Sequence, residues 1–137
     1  MSATSPAVAV RRGPLVVVGG VLGAIVVSSV ANALIALVAH AAGAPDDFQP
    51  LKASSYVFLT AVGVVLGSLG WAVIRKAAKD PEALARWLVP AVVVVSFVPD
   101  FLLFGDGGVT GVLALLLMHV TVAVIAVFAY RRGMPLS

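Results

Sequence analysis

The chain has 137 residues, 61% hydrophobic and 11% charged, with a formal net charge of +3 and no cysteine. Soluble domains carry about 45–50% apolar and about 25% charged residues, so an ordinary water-soluble fold is excluded. The absence of cysteine excludes disulfides, thiolate metal sites and cysteine nucleophiles.

Residues 1–13 read as a short N-terminal tail containing Arg11 and Arg12. The first apolar run covers about 15–42, and on it Gly20, Ala24, Ser28 and Asn32 recur every fourth residue, along one helical face. "VRRGP" followed by apolar residues and "ANA" or "AHA" has the outline of a cleavable export signal. Such signals have apolar cores of about 7–15 residues, and the run before "AHA" is longer, so a retained span is the expectation. His40 falls near its far end, at an interface.

The connection "GAPDDFQPLK" (43–52) leads to a second run at about 54–74. There Gly63, Gly67 and Gly70 share a face and let another backbone approach. The expected use of this stripe is a packing seam against span one, with a homo-oligomer seam as the sharper alternative. In the next connection, "RKAAKDPEALAR" (75–86), Asp80 is a suitable N-cap and Pro81 a suitable first helical residue.

The third run, about 84–104, contains Pro90 and Pro99. Each proline removes a backbone donor, so the carbonyls of Arg86 and Val95 lose their usual partners and a loosening near Ser96 is expected. "GDGG" (105–108) reads as a tight turn into the fourth run, about 109–130, and residues 133–137 form a C-terminal tail. Each run has roughly 20 residues or more, enough to cross about 30 Å of hydrocarbon as a helix. Isolated spans must be helical to satisfy their own backbone. The expected fold class is therefore an all-α membrane protein: one domain, about 14–132, of four transmembrane helices in an up-down antiparallel bundle, because short connections make successive helices antiparallel neighbours.

Charge orients that bundle. Arg11, Arg12, Arg75, Lys76, Lys79, Arg86, Arg131 and Arg132 would fall on one side, whereas Lys52 faces the other with Asp46, Asp47 and Asp106. The positive-inside rule then puts both termini in the cytoplasm. Basic residues beside apolar runs are a topology signal rather than a nucleic-acid surface, so the expected partner is the lipid bilayer and no nucleic acid. Trp71, Trp87 and Tyr130 would lie at the inner interface and Tyr56, Phe101 and Phe104 at the outer one, as aromatic belts.

The polar residues within the spans make the candidate site: Asn32, Ser96, Asp100 and His119, with Ser28, Thr60, Ser68 and Thr121 as milder cases. An ionisable group in a membrane costs roughly 2.5–3.5 kcal/mol at its centre, so each needs a reason. Counted from "GDGG", Asp100 lies about 7–8 Å into the outer half and His119 a turn or two deeper. That depth favours Asp100 as a structural carboxylate reaching interfacial water; the alternatives are a hydrogen bond to Asn32 or His119, and a proton, ion or substrate role. His119 reads first as a neutral imidazole bonded across helices. The two histidines lie at different depths and at no metal-ligand spacing, so no metal and no cofactor is expected, and no nucleotide-binding or catalytic triad motif is present.

The pairing of "SFVPDFLLF" and "LLLMHVTVAV" with "SSVANALIALVA" resembles a family of small four-span integral membrane proteins, widespread in actinobacteria and carrying a domain-of-unknown-function label. The resemblance covers about residues 13–132 and matches at Asn32, Ser96, Pro99, Asp100, Met118 and His119. It implies a four-helix fold in a bacterial plasma membrane and no particular activity. The expectation is a non-enzymatic membrane protein whose polar cluster links spans one, three and four. The alternatives are a small oligomeric proton-coupled exporter using Asp100, and a membrane enzyme on a lipid or isoprenoid using His119 and Asp100 as acid and base. Known four-span exporters use a glutamate in their first span, and span one here has no acidic residue.

Overall fold

The computed structural model describes residues 13–136, which leaves Arg11 and Arg12 outside the described residues. Four helices account for nearly all of it: α1 (Pro14–Ala41), α2 (Ala53–Ala77), α3 (Pro81–Leu102) and α4 (Phe104–Gly133). All four are long and apolar enough to cross a membrane. Only 11–28% of the most apolar stretch of each is buried within the protein, so most of its leucine and valine side chains point outward. In water this surface would be untenable; in hydrocarbon it is the solvated face.

The helix ends follow local chemistry. Gly13 stands at the α1 N-cap position with Pro14 as the first helical residue. At the other end Gly43 adopts φ 104°, the Gly43 amide donates to His40 O and the Ala44 amide to Ala39 O. That is the double closure that satisfies the last carbonyls of a helix, and its positive φ favours glycine. The Asp80 side chain accepts from the Ala83 amide at 3.0 Å and Pro81 opens α3, as their order in the sequence predicts. Helix α3 then runs unbroken through Pro90 and Pro99, and the Ser96 hydroxyl donates to Val93 O at 2.6 Å. The expected loosening near Ser96 is thus absorbed without ending the helix, its hydroxyl taking a carbonyl of its own turn.

The connection between α3 and α4 differs from the expected "GDGG" turn. Helical geometry resumes at Phe104, directly after Leu103, and is interrupted at Gly108 alone (φ 63°, ψ −172°). The chain thus leaves helical geometry at Leu103 and again at Gly108, with "GDG" on the short helical stretch between them.

Helix α4 is the centre of the bundle. It packs most extensively on α1, then on α3, and touches α2 as well; α1 and α2 also meet directly. Two apolar clusters hold it. In one, Ala36 and Ala39 of α1 and Ala114, Leu115 and Met118 of α4 close around Phe48 and Leu51 from the 43–52 connection. In the other, Ala24 of α1, Val64 and Trp71 of α2 and Ala85 of α3 pack on Ala126 and Tyr130 of α4.

Small residues allow these approaches: Ala24, Ser28 and Asn32 of the α1 stripe are buried and α1 meets α2, but of the three α2 glycines only Gly67 has a close neighbour. A Cβ at Gly63 or Gly70 would meet nothing within 4 Å, so those glycines make no helix contact. A Cβ at Gly67 would lie 2.7 Å from the Tyr130 hydroxyl, so Gly67 makes room for α4. Gly20 likewise approaches Ala129 O of α4, at 3.9 Å from its own Cβ position. Spacing identified faces that tolerate a neighbour; it carried no information on which neighbour.

Contacts between helix ends are specific. Val17 near the start of α1 touches Gly133 at the end of α4. The Trp71 indole N–H donates to Met134 O at 2.9 Å, just past α4. Arg131 donates two hydrogen bonds to the Glu82 carboxylate, at 2.8 and 3.1 Å, and lies 5.7 Å from the Trp71 ring. The Tyr130 hydroxyl donates to Val64 O, and its ring centroid is 5.7 Å from that of Trp71. Trp71 and Tyr130 are thus buried inside the bundle instead of forming part of an inner aromatic belt, while Trp87 is exposed. Their polar tips reach backbone carbonyls within the protein, so at that end of the bundle both rings face inward.

Candidate functional site

Asp100 and His119 meet. The Oδ2 atom of Asp100 lies 2.8 Å from Nδ1 of His119, which joins α3 to α4 within their membrane-crossing lengths. Asp100 precedes Gly108 by eight residues and His119 follows it by eleven. Asp100 is buried, with its side chain 8% exposed, so it does not extend to water as its expected depth suggested.

The proton geometry of the pair is constrained. His119 Nδ1 is also 2.8 Å from Leu115 O, one turn earlier on α4. A carbonyl oxygen only accepts, so Nδ1 carries the hydrogen. That single N–H is directed at Leu115 O, and Asp100 Oδ2 sits beside it with no aligned donor of its own. The Asp100–His119 contact is therefore electrostatic, because the one Nδ1 hydrogen is directed at Leu115 O. Net neutrality, which a low-dielectric site favours, needs a second proton on the pair. It resides either on Nε2, making an imidazolium beside a carboxylate, or on Oδ1, leaving both groups uncharged. The imidazole side chain is 38% exposed, and Phe97 from α3 packs edge-on against it with centroids 6.2 Å apart.

The remaining sequence candidates lie elsewhere. Asn32 is fully buried, and its Nδ2 donates to Thr60 Oγ1 at 3.0 Å, linking α1 to α2. No hydrogen bond joins Asn32 to Asp100 or His119 among the described residues. Asn32 Oδ1 and the Ser28 hydroxyl, one turn apart on α1, are buried without partners. Ser96 bonds only within its own helix. The expected cluster on α1, α3 and α4 is thus two sites: Asp100–His119 between α3 and α4, and Asn32–Thr60 between α1 and α2. Thr60 was visible as a polar residue in span two, but nothing in its spacing named Asn32 as its partner. Leu115 O had a usable signal, because an imidazole often reaches the carbonyl four residues back on its own helix. His40 Nδ1 is 3.3 Å from Ala44 O and 3.7 Å from the exposed Asp46 carboxylate, both in the adjoining connection. Among the described residues no three of His, Asp, Glu or Cys come together as a metal-binding group.

Residues 11–135 match a family of unknown function, DUF6069. The chain belongs to the DUF6069 family. The match takes in all four helices, both polar links and the connection that carries Phe48. No curated protein and no solved structure matches the chain. The DUF6069 assignment and the four apolar helices together make this an integral membrane protein of a family whose activity is not defined.

Proposed function

We propose that this DUF6069 protein is a non-enzymatic, multi-pass protein of the bacterial plasma membrane. It is an up-down antiparallel bundle with both termini in the cytoplasm, and the Asp100–His119 pair locks α3 to α4 inside the bilayer as a charge-neutral unit. The up-down order is supported by the end contacts of Val17 with Gly133, Glu82 with Arg131 and Trp71 with Met134. The orientation is supported by charge: Arg75, Lys76, Lys79, Arg86, Arg131 and Arg132 belong to that end, and Asp46, Asp47 and Asp106 to the other.

The observation that carries the reading is the 2.8 Å approach of Asp100 to His119 across two helices. Helices in lipid gain no hydrophobic drive to associate, so polar links and close packing must hold them. Two apolar grooves lie along α1 and α4, and neither is lined by Asp100 or His119.

A double-mutant cycle tests the proposal. Thermal unfolding in mild detergent is measured for Asp100→Asn, His119→Gln and the double variant. The expected coupling is about 1–3 kcal/mol, as for hydrogen bonds and contacts involving charged groups. Additive effects would refute the link. A variant Asp100→Asn that unfolds like the wild type yet abolishes a pH-dependent flux in vesicles would transfer the role to proton transport.

A further inference from the structure

The two grooves along α1 and α4 differ in charge. One, of about 350 Å³, is lined by apolar side chains with Thr110 and contains no charged residue. The other, of about 500 Å³, is apolar along its length except for Arg132 at one end, beside Val16 and Gly133. Its depth comes from missing side chains, since a Cβ at Gly23 would meet nothing within 4 Å. The Arg132 guanidinium is held 4.8 Å over the Phe128 ring, and both residues line the groove.

The geometry points to this groove as a binding site for one anionic phospholipid, with an acyl chain lying between α1 and α4 and the phosphate on Arg132. Length supports this occupant. On α1 the groove runs from Val16 to Val27, eleven residues. At 1.5 Å each that is about 16 Å, close to half of a hydrocarbon core of about 30 Å. A lipid of one leaflet therefore places its headgroup at the charged end and its tail end near the midplane. Charge supports it too: the groove has one cation and no carboxylate, and a guanidinium presents a fork of donors that matches phosphate oxygens. The inference rests on the helices spanning a bilayer and is independent of the Asp100–His119 link.

The test is competition between phosphatidylglycerol and phosphatidylcholine for the full chain in mixed micelles, read as the ratio of the two first-lipid adducts by native mass spectrometry. The wild type is expected to favour phosphatidylglycerol. Arg132→Gln should reduce that preference about fivefold, the equivalent of roughly 1 kcal/mol for one basic residue at the membrane surface. Gly23→Leu adds a side chain to the groove from a position whose Cβ meets no protein atom within 4 Å, and should remove the preference while leaving unfolding temperature and particle mass unchanged. A preference that survives both substitutions overturns the site, as does a wild type without preference. A Gly23→Leu variant that changes oligomeric state instead identifies a second copy of the chain as the occupant and also overturns it. Failure of the protein to remain with membranes after alkaline extraction would refute the spanning fold itself, a separate result.

Discussion

Replacing Gly107 by alanine places a methyl group where the ring of Phe48 already lies. The added Cβ would be 2.5–2.8 Å from three ring atoms of Phe48, closer than real Cβ contacts occur. Phe48 is 3% exposed and plugs the 43–52 connection onto the start of α4, so its ring must shift if the methyl is to fit. Overpacking of this kind costs about 1–3 kcal/mol. Phe48→Ala alone removes the plug and, by analogy with buried phenylalanines elsewhere, costs about 3–5 kcal/mol. The decisive variant is the double one. With the ring gone, the three atoms nearest the added methyl are removed, and alanine at 107 gains up to about 1 kcal/mol of helix preference over glycine. Gly107→Ala should therefore destabilise the wild type and stabilise the Phe48→Ala background, a change of sign. Thermal unfolding in detergent, followed by tryptophan fluorescence, measures each effect. Equal effects of Gly107→Ala in both backgrounds would refute the placement of Phe48.

Three further outcomes are expected. Tyr130→Phe removes the hydroxyl that donates to Val64 O and should cost about 0.5–1.5 kcal/mol, while Gly67→Ala should be less harmful with Phe at 130 because the oxygen 2.7 Å from its Cβ is gone. Thr60→Val should lower stability by about 0.6 kcal/mol, the mean for hydrogen bonds between membrane helices, and an Asn32→Leu, Thr60→Val cycle should show the coupling. Arg131→Gln should change the unfolding temperature little, since exposed ion pairs contribute about 0–1 kcal/mol, and the small difference should shrink with added salt.

The sequence specified some of this architecture well and some not at all, for physical reasons. The four helices were legible because each requires a long uncharged run, and Asp80 followed by Pro81 marks a helix start by chemistry local to those residues. Partner choice was not legible. Gly63, Gly67 and Gly70 share a face, but only Gly67 has a neighbour, and that neighbour is Tyr130 of α4. Depth was legible only as far as turn positions were: counting from "GDGG" set His119 a turn or two below Asp100, whereas their side chains meet at 2.8 Å. Phe48 looked like one apolar residue in a polar connection. Its burial depends on Gly107 and Gly111, on either side of the non-helical Gly108, whose function appears only once the connection is folded over them. Trp71 and Tyr130 were assigned to an interface because both have polar tips; the carbonyls of Met134 and Val64 satisfy those tips inside the bundle.

His119 donates its Nδ1 hydrogen to Leu115 O, and the Asp100 carboxylate lies 2.8 Å from the same nitrogen. Solid-state nitrogen-15 NMR of histidine-labelled protein in lipid bilayers measures this directly, because protonated and unprotonated ring nitrogens resonate far apart. The wild type should show a protonated, hydrogen-bonded Nδ1 at His119, and Asp100→Asn should move the His119 ring signals while leaving those of His40 in place. An unprotonated Nδ1 in the wild type, or His119 signals indifferent to the loss of the Asp100 carboxylate, would contradict the account.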